Sequence, residues 1–386
     1  MYYKQKADII FRDYESFGYI TDNRNFGYRK LRDNEEVIGD KILSKSGSAF
    51  FSILEKSPLS LDELIKRAHN LYTDVDIELL KNDLQGFYDI LVQDGFIVSG
   101  KTLTECNDKD IKFSYSNYTN EKPRKRLPIM IQKKHTQDFF DEYFKGLPQL
   151  TSVHIEITSK CNERCVHCYI PHENKMNDMS PVIFTNILNQ CIRLNVLHIT
   201  ISGGEPMINK HFCSFLNELN NNDFSVSVLS NLTLLNDEII NELKANPLLG
   251  VQVSLYSMKP NIHDQITKLQ GSFENTTSNI LKLVENDIPV QITCPIIRQN
   301  KDCYKDVITW AKEHNIEATS DPSIMARYDH TTSNLCNRLL PTEVKKILHD
   351  KIEEDPQYLV QLINEAQQKK ASNPNDIACS ICHSSV

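Results

Sequence analysis

Val153-His-Ile-Glu-Ile-Thr-Ser-Lys-Cys161-Asn-Glu-Arg-Cys165-Val-His-Cys168-Tyr169 joins a short run with β-branched residues at alternate positions to a loop carrying three cysteines spaced CxxxCxxC. The run Val153–Thr158 reads as a strand, and the cysteines follow it directly. Working outward, residues 151–335 repeat strand then helix. Further strands are expected at Leu197–Ser202, Ser225–Ser230, Val251–Tyr256, Val290–Ile296 and Glu317–Ser320. Helical patterns lie between them at Pro181–Leu194, His211–Asn220, Asp237–Lys244, Phe273–Glu285 and Tyr304–His314. β-branched strands alternating with helices of about 10–15 residues indicate βα units and a parallel sheet. Six units make either a doubly wound sheet or an incomplete TIM-like (β/α)6 barrel. In both, chemistry belongs at the carboxyl ends of the strands, which is where the cysteine loop falls.

The rest of the composition narrows the classes. At roughly 150 residues per domain, 386 residues allow two or three domains. Forty-three Lys+Arg against 51 Asp+Glu give a net charge of −8, which disfavours nucleic acid as the main partner because phosphate affinity rests on basic residues. No apolar run approaches the roughly 18–20 residues of a membrane span, and the opening MYYKQKADIIFRDYE puts charges where a signal peptide needs apolar residues. A soluble, cytoplasmic protein without a membrane partner is expected. Eleven cysteines are many for such a chain, and a disulfide framework belongs to small secreted domains. Cys106, Cys191, Cys213, Cys294, Cys303 and Cys336 are scattered and read as small packing residues. Cys379 and Cys382 pair up near the end.

Residues 1–100 read as a small α+β unit. Strands are expected around Asp8–Arg12, Phe17–Thr21, Tyr28–Leu31 and Val37–Leu43. A helix follows at Ser46–Glu55, a second after Ser60-Leu-Asp-Glu63, which resembles a capping box, and a third near Asp76–Val92. Gly95-Phe-Ile-Val98 closes the unit as a wing-like strand. Residues 101–150, with the basic run Lys122–Arg126, read as a solvated linker. Residues 336–386 read as helical, at Thr342–Glu353 and Tyr358–Lys369, before Cys379-Ser-Ile-Cys382-His383. The chain stops there without a closing element, so a longer natural protein is expected.

Two metal chemistries compete for the central loop. A structural zinc is four-coordinate and would need a fourth ligand from His167 or His172. Three thiolates can instead hold three irons of a [4Fe–4S] cluster and leave one iron open, whereas such clusters commonly have four thiolates. The spacing favours the cluster. The next strand ends in Ile201-Ser-Gly203-Gly204-Glu205-Pro206, on the same edge of the sheet. Two glycines allow a turn with positive φ and close approach of a ligand to the main chain, and Pro206 fixes the exit.

Together these motifs resemble the radical S-adenosylmethionine (SAM) superfamily. The resemblance implies a partial (β/α)6 barrel over about 151–335, with an open iron that chelates SAM and a reduced cluster that cleaves it to a 5′-deoxyadenosyl radical. It implies Cys161, Cys165 and Cys168 as cluster ligands and Gly203, Gly204, Glu205 and Pro206 as the loop meeting the SAM amino group. Ser230 and Asn231 would contact the ribose and Ser254 the carboxylate. His167 would pack against adenine, with Tyr169 beside it also against the cofactor.

The N-terminal unit resembles the PqqD-like peptide-recognition domains of ribosomal-peptide maturases, which take up a leader peptide as an added strand. The competing winged-helix DNA-binding reading is disfavoured by a net charge of −4 over residues 1–100. Val253-Ser-Leu-Tyr-Ser257, Ile262-His-Asp264 and Gly271-Ser-Phe273 resemble maturases with a C-terminal SPASM-type region. Cys379 and Cys382 would then be the first ligands of an auxiliary [4Fe–4S] cluster. The expected activity is radical modification of a precursor peptide, as a thioether or carbon–carbon crosslink or an epimerisation, with an external electron donor such as flavodoxin or ferredoxin. The alternatives are a radical SAM enzyme acting on a small molecule or folded protein, and a zinc-stabilised winged-helix regulator. Asp321, before Pro322, is either a catalytic base or a turn residue.

Overall fold

The computed structural model describes residues 1–23, 38–115, 142–144, 149–174, 176–354, 359–360 and 363. Cys379, Cys382, the basic run 122–126 and the strand expected at 28–31 lie outside the described residues.

The N-terminal unit contains two small antiparallel sheets. In one, β1 (Tyr2–Gln5) pairs with both β5 (Leu59–Ser60) and β6 (Ile97–Gly100). In the other, β2 (Ile9–Asp13), β3 (Gly18–Asp22) and β4 (Asp40–Leu43) form a meander. Helices span Lys45–Ser52, Leu61–Leu71 and Ile77–Asp94. Their ends follow the sequence: Ser60 accepts from the Glu63 amide, Asp76 accepts from Glu78 and Leu79, and Gly95 stops the third helix at φ +88°, a conformation glycine adopts freely. Tyr3, Leu64, Leu84, Tyr88 and Leu91 fill the core.

The stretch expected as a solvated linker is structured as far as Tyr115. A helix at Leu103–Asp108 buries Cys106, and Asp110 pairs with Lys4 at 2.8 Å, both nearly enclosed. The Tyr115 hydroxyl accepts from the Val290 amide at 2.9 Å.

The β2–β3–β4 sheet lies between two apolar layers. Ile9, Ile20 and Leu43 face the N-terminal core, while Ile10 and Tyr19 pack on Leu197 and Leu248. Those two residues immediately precede strands of the larger sheet, so the N-terminal unit sits at its amino end. Arg12 fastens the contact: Nε donates to Val196 O at 3.0 Å and Nη2 to Asp223 O at 3.1 Å. Both carbonyls follow helix C-termini (Pro181–Arg193 and Phe212–Asn221), where a cation is favoured. Burial lowers the Arg12 pKa to about 10, so the guanidinium stays charged at neutral pH.

The larger sheet contains β7 (Ser152–Thr158), β8 (His198–Gly203), β9 (Ser225–Ser230), β10 (Leu249–Ser254), β11 (Val290–Pro295) and β12 (Glu317–Asp321), all parallel and in sequential order. A doubly wound sheet reverses strand order at a switch point; this sheet does not, which selects the partial barrel. Parallel strands usually read as continuous apolar runs because both faces are covered. Here Ile157, Ile201, Val228, Val253 and Ile292 face helix residues such as Phe184, Phe215 and Leu283. Each such side chain contributes about 1.5–3 kcal/mol on burial. The opposite face is polar, with Glu156 beside Ser202 and Ser254 beside Thr293. No helix among the described residues is long and apolar enough to cross a membrane.

Candidate functional site

Four adjacent strands deliver the residues singled out in the sequence to one edge. β7 runs into the cysteine loop, β8 into Gly203–Pro206, β9 ends at Ser230-Asn231 and β10 at Ser254. Gly203 has φ +145°. The Gly204 amide donates to Thr158 O and the Glu205 amide to Lys160 O, both at 2.8 Å. A Cβ on Gly203 would stand 2.0 Å from Thr158 O, and one on Gly204 2.2 Å from Lys160 O. The close approach anticipated for a ligand is thus made by the cysteine loop's own main chain.

Glu205 is fully enclosed. Its Oε1 accepts from Ser230 Oγ at 2.8 Å and from the Met207 amide at 3.1 Å, and its Oε2 from the Asn231 amide at 2.8 Å. The Met207 contact caps the turn Pro206–Ile208. Asn231 Nδ2 donates to Asn162 Oδ1 at 2.9 Å, and Asn162 Nδ2 to Thr233 Oγ1 at 2.7 Å. From behind, Thr276 Oγ1 donates to Asn231 O and Asn279 Nδ2 to Leu232 O. The helix bearing these two, Ser272–Glu285, begins where Asp264 accepts from Gly271 N, Ser272 Oγ and Phe273 N. That contact gives the Ile262-His-Asp264 and Gly271-Ser-Phe273 stretches a structural purpose. Cysteine loop, Gly-Gly-Glu-Pro turn and Ser-Asn corner therefore form one hydrogen-bonded unit. Asn162, Thr233, Thr276 and Asn279 were not anticipated; the i, i+3 spacing of Thr276 and Asn279 on one helix face was the available signal.

Burial raises the Glu205 pKa from 4.5 to about 7 against the three donors that lower it. A carboxyl that titrates higher when folded holds its proton longer in the native state. Its contribution is therefore fully present below pH 4.5 and is lost as pH rises towards 7. Replacing Glu205 with Gln should flatten that segment of the stability–pH curve by about 3 kcal/mol, read as the difference between wild-type and E205Q denaturant midpoints from pH 4.5 to 7.5. Parallel curves would refute the assignment.

Cys161, Cys165 and Cys168 form no disulfide and are partly buried. Cys165 Sγ donates to Glu163 Oε2 at 3.1 Å, and the Glu163 amide donates to Cys161 Sγ at 3.4 Å. Burial, Glu163 and the other two thiols push the Cys165 pKa well above its usual value. The Tyr256 hydroxyl interacts with both Ser254 and Cys165. His167 lies edge-on to the Tyr256 ring at 5.1 Å, and burial lowers its pKa to about 4. Tyr169 donates to Glu156 Oε1 at 2.6 Å on the polar sheet face. Asp321 Oδ1 accepts from the Ser323 amide, the geometry of a turn. Of the scattered cysteines, Cys106, Cys191, Cys294 and Cys303 are buried and Cys336 is exposed.

The loop offers three cysteine sulfurs, an all-sulfur donor set that fits the irons of a [4Fe–4S] cluster.

Residues 155–311 match the Radical SAM superfamily model. The chain carries a radical SAM domain. The family matched by this domain uses a [4Fe–4S] cluster and SAM. The chain is 26% identical over 186 residues to GTP 3′,8-cyclase of Clostridium perfringens, covering 46% of this chain and 55% of that protein. It is 28% identical over 184 residues to the sporulation killing factor maturation protein SkfB of Bacillus subtilis, covering 47% and 43%. It thus spans about half the length of the curated relatives it matches. The crystal structure of Streptococcus suis SuiB bound to precursor peptide SuiA superposes with a TM-score of 0.52 at 13% identity, over 91% of this chain and 70% of that one; that likeness bears on fold alone.

Proposed function

We propose that this radical SAM enzyme modifies a ribosomally made precursor peptide, installing a thioether or carbon–carbon crosslink or an epimerised centre. The observation carrying the reading is the hydrogen-bonded unit at the carboxyl ends of β7–β10, in a chain whose N-terminal meander ends in the edge strand β4. In this reading Cys161, Cys165 and Cys168 hold the cluster. The Gly203–Pro206 turn, Ser230, Asn231, Ser254 and Tyr169 hold SAM. Bound there, cluster and SAM supply a 5′-deoxyadenosyl radical that removes a substrate hydrogen, the electron coming from an external donor such as flavodoxin or ferredoxin. The protein's own contribution is placement: Glu205 joins two cofactor-facing loops, and His167 and Tyr256 close the apolar side of the cysteine loop. A leader peptide adds to β4 by strand pairing, in the cytoplasm. Similarity to SkfB, named a maturation protein, supports a peptide substrate.

Similarity to GTP 3′,8-cyclase favours a second reading, a nucleotide substrate at the same site. The two separate in one experiment. Anoxically reconstituted chain should hold about four irons in the core cluster and release 5′-deoxyadenosine on reduction. A fluorescent leader peptide from a neighbouring short reading frame should bind, and the precursor should change mass. Modification of GTP without leader binding would favour the nucleotide reading.

A further inference from the structure

The cysteine loop has no regular secondary structure between Cys161 and Cys168, so its shape depends on what grips its backbone. On one side the Arg164 and Val166 amides donate to Thr267 O at 2.9 Å and Ile266 O at 3.0 Å. On the other, three successive carbonyls are taken by two asparagines from far along the chain. Asn337 Nδ2 donates to Val166 O at 2.9 Å. Asn334 Nδ2 reaches His167 O at 3.2 Å and Cys168 O at 3.5 Å, and also Met325 O at 2.8 Å.

Both asparagines are buried, Asn334 to 1% exposure and Asn337 to 7%. They sit on a single turn, Ser333–Asn337, which is itself tied down. The Arg298 amide donates to Asn337 O at 3.0 Å, Gln299 Nε2 donates to Asn337 Oδ1, and Arg338 Nε donates to Ile324 O at 2.6 Å. The turn lies after β12 and outside residues 155–311, which match the family model.

We propose that Asn334 and Asn337 are positioning residues for the cluster, a two-pronged clamp that sets the backbone carrying Cys165 and Cys168. The inference rests on the cysteine assignment made above. Groups that orient metal ligands without touching the metal typically account for 10–100-fold in metal affinity. Removing Asn337 frees one carbonyl beside the ligands and removing Asn334 frees two, which lets the two thiolates drift relative to Cys161.

The test uses the full chain, reconstituted without oxygen, with Asn334→Leu and Asn337→Leu made singly. Iron release to a chelator should accelerate about 10–100-fold, and the reduction potential of the cluster should move, in variants whose metal-free chain still unfolds cooperatively. Asn→Ser variants, which shorten the side chain without adding apolar bulk, serve if leucine prevents folding. A folded variant that releases iron within twofold of wild type at an unmoved potential overturns the clamp. Wild-type chain that retains no iron instead defeats the cysteine assignment, and the clamp's purpose with it.

Discussion

Cys165→Ala should hold no core cluster and release no 5′-deoxyadenosine, while binding a leader peptide as wild type does. Cys165 is the middle cysteine of the three and interacts with Glu163 and Tyr256. Two thiolates remain after the substitution, too few for a site in which each sulfur holds one iron. The cost to the metal-free fold should be small, about 1 kcal/mol for losing one buried sulfur. Iron content after anoxic reconstitution and SAM turnover by chromatography measure the first effect, and peptide anisotropy the second. A C165A chain that still cleaves SAM would contradict the ligand assignment. One that loses peptide binding would mean that the N-terminal unit and the cysteine loop are coupled.

Gly203→Ala should be the most damaging single methyl in the barrel. The backbone conformation at φ +145° costs a side-chain-bearing residue about 1–3 kcal/mol. The new Cβ would also lie 2.0 Å from a carbonyl oxygen, so β8 and the cysteine loop must separate. The total should be about 4 kcal/mol, in the range of exceptional substitutions. That corresponds to a fall of roughly 10 °C in melting temperature, with SAM cleavage lost even where the chain stays folded. Gly86→Ala is the control. Nothing lies within 4 Å of its Cβ, and it occupies the helix Ile77–Asp94, so alanine there should stabilise by up to about 1 kcal/mol. Equal melting of G203A and wild type would remove the argument.

The barrel was legible because its strands carry a local signal. Val and Ile alternating with polar residues marked β7–β11 to within two residues, whereas β12, Glu-Ala-Thr-Ser-Asp, carries no Val or Ile. The largest slip was β10, which begins at Leu249, two residues before expectation, because Gly250 interrupts the β-branched pattern. The motif loops were equally legible, since their residues lie within one strand end each. What the sequence hid is non-local. β1 is a strand only because Tyr2–Gln5 meets Ile97–Gly100 almost a hundred residues later, and YYKQ has no pattern of its own. The Lys4–Asp110 pair and the packing of Tyr115 turned part of an apparent linker into structure. Asn334 and Asn337 are set apart by no local pattern. Their burial follows from backbone carbonyls elsewhere that need donors, which no single-window reading detects.

Arg12 and its neighbours moor the N-terminal unit beneath the barrel floor, whereas the cysteines crown its rim. The staves between are about six residues tall, roughly 20 Å at 3.3 Å per residue. In the proposed reading, a precursor paired with β4 would have to cover that distance before its first reactive side chain arrived. Even fully stretched chain, at most about 3.6 Å per residue, uses some six residues on that ascent. Under that proposal the architecture would work as a ruler, passing over any side chain adjacent to the tethered segment and reaching only those further along the peptide.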